Sequence, residues 1–260
     1  KTNRLFYPGG APMNLEHQLA HQLRTLRLGG FLETLDLRLK QAQEEELAPL
    51  TLLHLLLQDE IERREAHKLA KRLSRASFEE EKTLEGFDFS FNPKIKRSLI
   101  KDLATCIFLE KREHVLIYGP AGVGKSHLAQ ALGQEACRKG YDVLFVKAVK
   151  MLRSLLAARA DHSWEKRIKR YLTPDLLLID DFGLTPLSPS QAEDFYEVVS
   201  ERHLKSSLII TSNRPPQDWV ALFPDPVMAN SALDRLAHHA HHIMIEGGES
   251  YRKRLSPKYC

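Results

Sequence analysis

Cysteine, glycine and proline are scarce in this chain, and each scarcity excludes a class of protein. The 260 residues include three cysteines, 13 glycines and 13 prolines. Cys106, Cys137 and Cys260 are odd in number and far apart, which argues against a disulfide framework or a paired-cysteine zinc site. With 43% hydrophobic and 28% charged residues, the composition also excludes collagen-like and wholly disordered chains.

Long apolar runs are absent as well. A membrane-spanning helix needs roughly 20 apolar residues in succession. The most apolar stretch, residues 50–57, is short and contains Thr51 and His54. The chain opens with the polar residues 1–4, without an apolar segment of the signal-peptide type. We therefore expect no membrane partner and a cytoplasmic location.

Positive charge is concentrated in one segment of the chain. The formal net charge is only +4. Residues 138–170, however, contain ten Lys or Arg side chains and three Asp or Glu side chains. An excess of this kind is typical of surfaces that bind polyanions, but a solvated basic helix face has the same pattern.

The first third of the sequence predicts helices. Leucines recur at helical spacing over residues 14–28, an amphipathic pattern follows over 31–43, and a third helix starts at Pro49. Residues 77–93 have an aromatic, linker-like composition. We expect a small all-α N-terminal domain with its linker over residues 1–84. Contact with DNA, with another subunit or with a partner protein would each suit such a domain.

From residue 94 onward, helical and strand patterns alternate. Helices are predicted over 94–110, from Lys125 and over 189–204, and helical segments over 148–171. Short apolar strands are predicted over 114–118, 142–147, 175–179, 207–211 and 241–246. Buried strands separated by helices indicate an α/β fold, in which helices cover both faces of a parallel sheet to give three layers. We assign this domain to residues 85–260.

A phosphate-binding loop follows the first predicted strand. Residues 119–126 match the pattern GxxxxGK[ST] between a strand and a helix. Glycines let backbone amides approach phosphate oxygens, and the helix N-terminus favours negative charge. Lys125 is expected to reach the β- and γ-phosphates of ATP, and Ser126 to bind Mg²⁺. The predicted nucleotide-binding residues are Gly119, Pro120, Ala121, Gly122, Val123, Gly124, Lys125, Ser126 and His127.

Polar residues at the ends of two later strands predict the catalytic groups. Asp180 and Asp181 follow four apolar residues of a buried strand, and Asn213 follows another strand. Ligands of parallel sheets bind at the carboxyl ends of the strands. We expect Asp180 to bind Mg²⁺, Asp181 to polarise the attacking water, and Asn213 to orient that water.

The order of these motifs, continued by Leu-Asp-Arg-Leu at 233–236 and Gly-Glu-Ser-Tyr-Arg at 248–252, resembles AAA+ ATPases of the helicase-loader and initiator clade. Within that clade the sequence resembles the IstB-type transposition helper ATPases, to which DnaC-type helicase loaders are related. The resemblance implies an AAA+ fold without a full helical lid. It also implies that Arg235 is an arginine finger, that Arg252 is a sensor-2 arginine, and that Arg202 is a second interface candidate.

The resemblance gives the basic segment a role. In the initiator clade its position holds a helical insertion that faces nucleic acid, which implies DNA contacts for Lys147, Lys150, Arg153, Lys166, Arg167, Lys169 and Arg170. The whole pattern implies an Mg²⁺-dependent ATPase that forms a homo-oligomer on duplex DNA and serves a transposase. A replicative helicase loader, which would prefer single-stranded DNA, is the alternative, and Arg235 argues against a monomeric P-loop kinase.

Overall fold

The structure is a computed structural model that describes residues 15–90, 92 and 95–246. The chain divides into two compact units, Lys1–Ala70 and Lys71–Cys260. This division falls within a helix, earlier than the boundary near residue 84 that the sequence predicts. None of the helices in the described residues is both long and apolar enough to cross a membrane.

The first unit contains the three predicted helices, with α1 at Leu15–Thr25, α2 at Gly29–Glu44 and α3 at Pro49–Ala76. Helix α3 begins in this unit and ends in the second. Leu23, Phe31 and Leu56 form a small buried core. Because the Gly30 amide donates to the buried Glu60 carboxylate at 2.5 Å, α2 begins directly against α3. A side chain at Gly30 would clash, since its Cβ would lie 2.6 Å from Glu60 Cα.

The second unit alternates helices and strands as predicted. Its elements before the second strand are α4 (Arg97–Ala104), α5 (Ile107–Glu110), β1 (His114–Tyr118) and α6 (Lys125–Arg138). The chain continues through β2 (Val143–Lys147), α7 (Ala148–Ala160), α8 (Trp164–Leu172), β3 (Leu176–Phe182) and α9 (Pro189–Arg202). It continues with β4 (Ser207–Ser212), a 3₁₀ helix (Pro216–Leu222), α10 (Pro226–Ala237) and β5 (Ala240–Met244).

The five strands form one parallel sheet in the order β2-β3-β4-β1-β5. Neighbouring side chains of a strand point to opposite faces. Leu177 and Ile179 of β3 pack in the core with residues of α7, α9 and α10. Leu178 between them lies against Gly133 of α6. Helices therefore cover both faces, which confirms the predicted three-layer architecture.

The predicted strands are confirmed to within a few residues, whereas one predicted helix is broken. Helix 94–110 is interrupted at Cys106, which has a left-handed φ of 63°. The predicted helical segments of 148–171 are α7 and α8, which are separated near His162, with φ of 58°. L-residues rarely adopt this conformation, and it ends a helix locally. Strand β3 runs on to Phe182, so that Asp180 and Asp181 belong to the strand.

Arg202 is a buried structural residue, and its assignment as an interface candidate is wrong. Its side chain is inaccessible at the end of α9. The guanidinium donates to the carbonyl oxygens of Tyr171, Leu172, Asp175 and Ser207 at 2.7–3.2 Å. Burial lowers its pKa to about 10. Arg202 thereby links the end of α8, the start of β3 and the start of β4.

This placement predicts that Arg202→Ala destabilises the second unit by about 3 kcal/mol, because buried carbonyl groups lose their donors. Urea unfolding followed by tryptophan fluorescence measures the effect, since Trp164 and Trp219 both lie in this unit. Lys205→Ala is the control, because it removes only an exposed ion pair with Glu201 and should change stability by less than about 0.5 kcal/mol. Equal stability of the two variants would contradict the structural role.

Candidate functional site

The phosphate-binding loop is built between β1 and α6, as predicted. Gly119 has φ of 150°, and a Cβ there would lie 2.1 Å from the Ile245 carbonyl oxygen. Gly124, with φ of 96°, caps α6 in a left-handed conformation. Only glycine combines these conformations with so close a backbone approach. The loop therefore turns sharply from the sheet into a helix N-terminus, where backbone amides and the helix dipole favour phosphate.

Lys125 lies inside this loop. Its side chain is buried, and its ammonium group donates to the Pro120 carbonyl oxygen at 2.6 Å. A lysine held in this way is a compact cation for phosphate oxygens. The next residue, Ser126, lies near Asp180, and its hydroxyl lowers the pKa of that carboxylate, which brings the loop together with the end of β3.

Asp180 is a buried carboxylate at the end of β3. The Thr211 hydroxyl of β4 donates to its Oδ1 at 2.6 Å. Burial raises the pKa of Asp180, while the hydrogen bonds from Thr211 and Ser126 oppose that shift. Carboxylate and hydroxyl oxygens are ligands that Mg²⁺ accepts. The donor set of Ser126 and Asp180 thus fits the predicted magnesium ion, as the loop fits the phosphates of ATP.

Asp181 is held beside this group in a strained conformation. Its φ is 56°, and the pairing of β3 with β4 shifts register between Ile179 and Phe182. The Asp181 amide donates to Thr211 Oγ1 at 2.9 Å. A left-handed conformation of a residue other than glycine costs of order 1 kcal/mol and persists only when its surroundings fix it. One hydroxyl therefore binds both Asp180 and Asp181.

The other predicted catalytic residues lie partly at this edge. Asn213 is exposed directly after β4, and the preceding Ser212 accepts a hydrogen bond from the Gly119 amide at 3.2 Å. The ends of β1, β3 and β4 consequently meet, as their parallel register requires. His127, by contrast, directs its ring nitrogen to the Thr83 carbonyl oxygen at 2.9 Å.

Arg235 lies on α10 and is held by its own chain. Its guanidinium donates to the Ser231 carbonyl oxygen at 2.8 Å and lies over the Tyr196 ring at 5.3 Å. Within residues 15–90, 92 and 95–246, no hydrogen bond of Arg235 reaches the phosphate loop, Asp180 or Asp181. The predicted sensor-2 residue Arg252 lies outside the described residues.

The predicted DNA-binding residues fall into two groups. Lys147 and Lys150 both pair with Glu79, at 2.8 and 3.7 Å. Lys147 ends β2 beside Asp180, and its pKa is raised chiefly by the hydrogen bond to Glu79. The remaining members are exposed and make no salt bridge with any described residue; they are Arg153, Lys166, Arg167, Lys169 and Arg170.

Helix α8 has two faces of different chemistry. Ile168 and Tyr171 are buried in the core of the second unit. The basic residues of this helix lie on the exposed remainder of its surface. The buried pair fixes the helix, and the fixed helix presents positive charge to solvent.

Sequence reasoning missed Thr211 and the place of Lys147 beside Asp180. The available signal was a hydroxyl residue at the end of an otherwise apolar strand, two positions before Asn213. In the sequence, Thr211 resembles any β-branched residue of a strand. Its role cannot be seen there, because it depends on the register of β3 against β4. Register between distant strands is not readable from one sequence.

The phosphate loop at the end of β1, the carboxylates at the end of β3 and the strand order define a P-loop nucleotide-binding protein of the AAA+ fold. A solved structure of DnaI supports the fold: it has 21% sequence identity and a TM-score of 0.55, and the match covers 64% of this chain and 91% of DnaI.

Relatives narrow the class to a family. A family model described as IstB-like ATP binding protein matches residues 21–258, and the chain belongs to this family. A Mycobacterium tuberculosis protein, named for ATP binding and its place in an insertion sequence, is 46% identical over 240 residues, covering 92% of this chain and 95% of the relative. A similarly named IS21 protein of Pseudomonas aeruginosa is 36% identical over 242 residues, covering 93% and 91%.

The two hydrogen bonds of the Thr211 hydroxyl, with Asp180 and with the Asp181 amide, can be tested by mutation. Thr211→Val keeps the side-chain shape but removes both hydrogen bonds, so that Asp180 and Asp181 lose their common support. We expect the Mg²⁺-dependent part of the affinity for a non-hydrolysable ATP analogue to fall roughly 10- to 100-fold, as for other residues that orient metal ligands. Titrations with Mg²⁺ and with EDTA separate this effect from metal-independent binding.

Thr211→Ser is the matched control, since it keeps the hydroxyl and should bind like the wild type. Equal affinities of the valine and serine variants in Mg²⁺ would show that the bridge does not support metal binding.

Proposed function

We propose that this protein is an ATP-dependent DNA-binding helper of a transposase, acting in the cytoplasm. The observation that carries the proposal is the cluster of Ser126, Asp180, Thr211 and Asp181 beside the phosphate loop, in a chain of the IstB-like family. The relatives are named for insertion sequences, which move by transposition, and this supports a transposase as the partner.

The proposed reaction is the hydrolysis of ATP to ADP and phosphate. The loop amides and Lys125 bind the phosphates of ATP. Ser126 and Asp180 would hold Mg²⁺, which offsets the negative charge of those phosphates when it is bound. Asp181 accepts a proton from the attacking water as its oxygen bonds to the γ-phosphorus. Asn213 orients that water, and the bond from the γ-phosphorus to the β–γ bridging oxygen breaks.

Assembly into a homo-oligomer would complete the site. Arg235 is partly exposed on α10, and its hydrogen bonds go to Ser231 rather than to the phosphate loop of its own protomer. An arginine that reaches the γ-phosphate of a neighbouring protomer stabilises transition-state charge. ATP binding at the interface then favours the oligomer on duplex DNA, and hydrolysis releases it. Arg252 is proposed to act within its own protomer.

We assign contact with DNA to seven basic residues of β2, α7 and α8, which are Lys147, Lys150, Arg153, Lys166, Arg167, Lys169 and Arg170. Lysine and arginine on a fixed helix bind phosphates without reading base sequence. Binding should therefore be weakly sequence-specific. The helicase-loader alternative would instead prefer single strands.

The interface role of Arg235 is tested by mixing inactive variants. Arg235→Ala should bind ATP normally but lose about 10³–10⁵ in hydrolysis rate, the contribution of an arginine finger. Lys125→Ala should fail to bind ATP, because the loop loses its cation. Mixing the two variants should restore part of the ATPase rate, since a mixed interface pairs an intact Lys125 with an intact Arg235.

The double variant Lys125→Ala/Arg235→Ala, assayed in the same mixtures, is the control and should restore nothing. Absence of rescue in mixed assemblies that demonstrably form would assign Arg235 to its own protomer.

The DNA surface is tested by salt dependence. Each phosphate contact contributes a slope of about −0.9 in log K against log salt for duplex DNA. Replacing Lys166, Arg167, Lys169 and Arg170 by alanine should flatten the slope and weaken binding to all sequences alike. The measurement is a salt titration of duplex affinity with a non-hydrolysable ATP analogue.

A matched control removes four exposed lysines from other parts of the second unit: Lys101, Lys111, Lys139 and Lys205. It lowers the net charge equally and should leave the slope unchanged. Equal slopes in the two variants would move the DNA surface away from α8. Preference of the wild type for single strands would favour the helicase-loader alternative.

A further inference from the structure

The linker after α3 lies along α6, the helix that begins at the phosphate loop. We call residues 77–90 the strap. Its contacts fall on every third residue of α6, counted from the glycine before the helix, so they follow an inclined row that winds around α6. The contact pairs are Phe87 with Gly124, Thr83 with His127, Glu79 with Gln130, and Phe78 with Gly133.

Two of these contacts satisfy backbone groups of the strap. His127 Nε2 donates to the Thr83 carbonyl oxygen at 2.9 Å, and burial lowers the pKa of His127, which favours the neutral ring. Gln130, which is 4% exposed, accepts from the Glu79 amide through Oε1 at 3.1 Å. Polar groups of an irregular segment need such partners when buried, so these side chains fix the path of the strap.

A short turn then brings Phe87 onto the loop. The Thr83 hydroxyl accepts from the Gly86 amide at 3.1 Å, and the Phe87 amide donates to the Leu84 carbonyl oxygen at 3.2 Å. The Phe87 ring packs edge-on against His127 with centroids 5.2 Å apart. A Cβ on Gly124 would lie 2.9 Å from Phe87 Cε2. The ring therefore covers Gly124, the residue of the phosphate loop that directly precedes α6.

We propose that Phe87 is a positioning residue for nucleotide binding, acting through Gly124. The loop contains three glycines with positive φ, and glycine loses more conformational freedom on ordering than any other residue. By covering Gly124, the ring restricts the loop before the ligand arrives, so that less ordering is left for binding. Phe87 needs no contact with the nucleotide itself. This inference rests on the proposed nucleotide site.

The test compares two phenylalanines of the strap in the full chain. Phe87→Ala should weaken binding of a non-hydrolysable ATP analogue roughly tenfold, the size expected when a few groups must be ordered on binding. Phe87→Leu keeps an apolar cover and should bind about threefold more weakly than wild type. Phe78→Ala is the matched control, since Phe78 packs on Gly133 and Phe145, away from the loop.

Phe78→Ala should lower the thermal midpoint but leave nucleotide affinity unchanged. Equal loss of affinity in Phe78→Ala and Phe87→Ala would overturn the proposal, because the strap would then act only through stability. Full affinity of Phe87→Ala, or of Phe87→Leu if the alanine variant does not fold, would also overturn it. Failure of the wild type to bind nucleotide would instead reject the proposed nucleotide site.

Discussion

The buried carboxylate of Asp180 is the constraint on which the site depends. It is 3% exposed, and a buried charge is costly unless hydrogen bonds or opposite charges surround it. Three elements supply them: Ser126 from α6, Thr211 from β4, and Lys147, whose positive charge on β2 lowers the pKa of Asp180. The carboxylate can keep these neighbours only while the parallel register holds. The energetics of one group thus tie the phosphate loop to three strands of the sheet.

A feature of this protein can be predicted from the sequence when the residues that form it are close together in the chain. The loop at 119–126 and the Asp180–Asp181 doublet carry their chemistry in adjacent residues, and the structure builds both where the sequence indicates. Apolar strands between helices also predict the parallel sheet, because burial on both faces leaves a continuous apolar run. The fold and the phosphate loop can therefore be predicted from the sequence.

Non-local roles were not readable. Arg202 looks like a surface arginine on an amphipathic helix, yet four carbonyl groups from α8, β4 and the residue before β3 converge on it. The Thr211 hydroxyl can bind both Asp180 and Asp181 only because the pairing of β3 with β4 shifts register between Ile179 and Phe182, and no sequence pattern predicts that shift. Lys147 and Lys150 read as free cations, while Glu79 from a distant segment pairs with both. In each case at least one partner lies 27 or more residues away or depends on pairing between strands.

The strap changes how the linker should be understood. A composition of aromatic and acidic residues suggests a passive connection, but α6 has ten buried residues among its 14 and needs cover beyond the sheet. Phe78 supplies part of that cover at Gly133, and Phe87 covers Gly124. The strap begins directly after Ala76, the last residue of α3, and that helix starts in the N-terminal unit. The chain therefore runs from the helical unit to the phosphate loop through one helix and one packed segment.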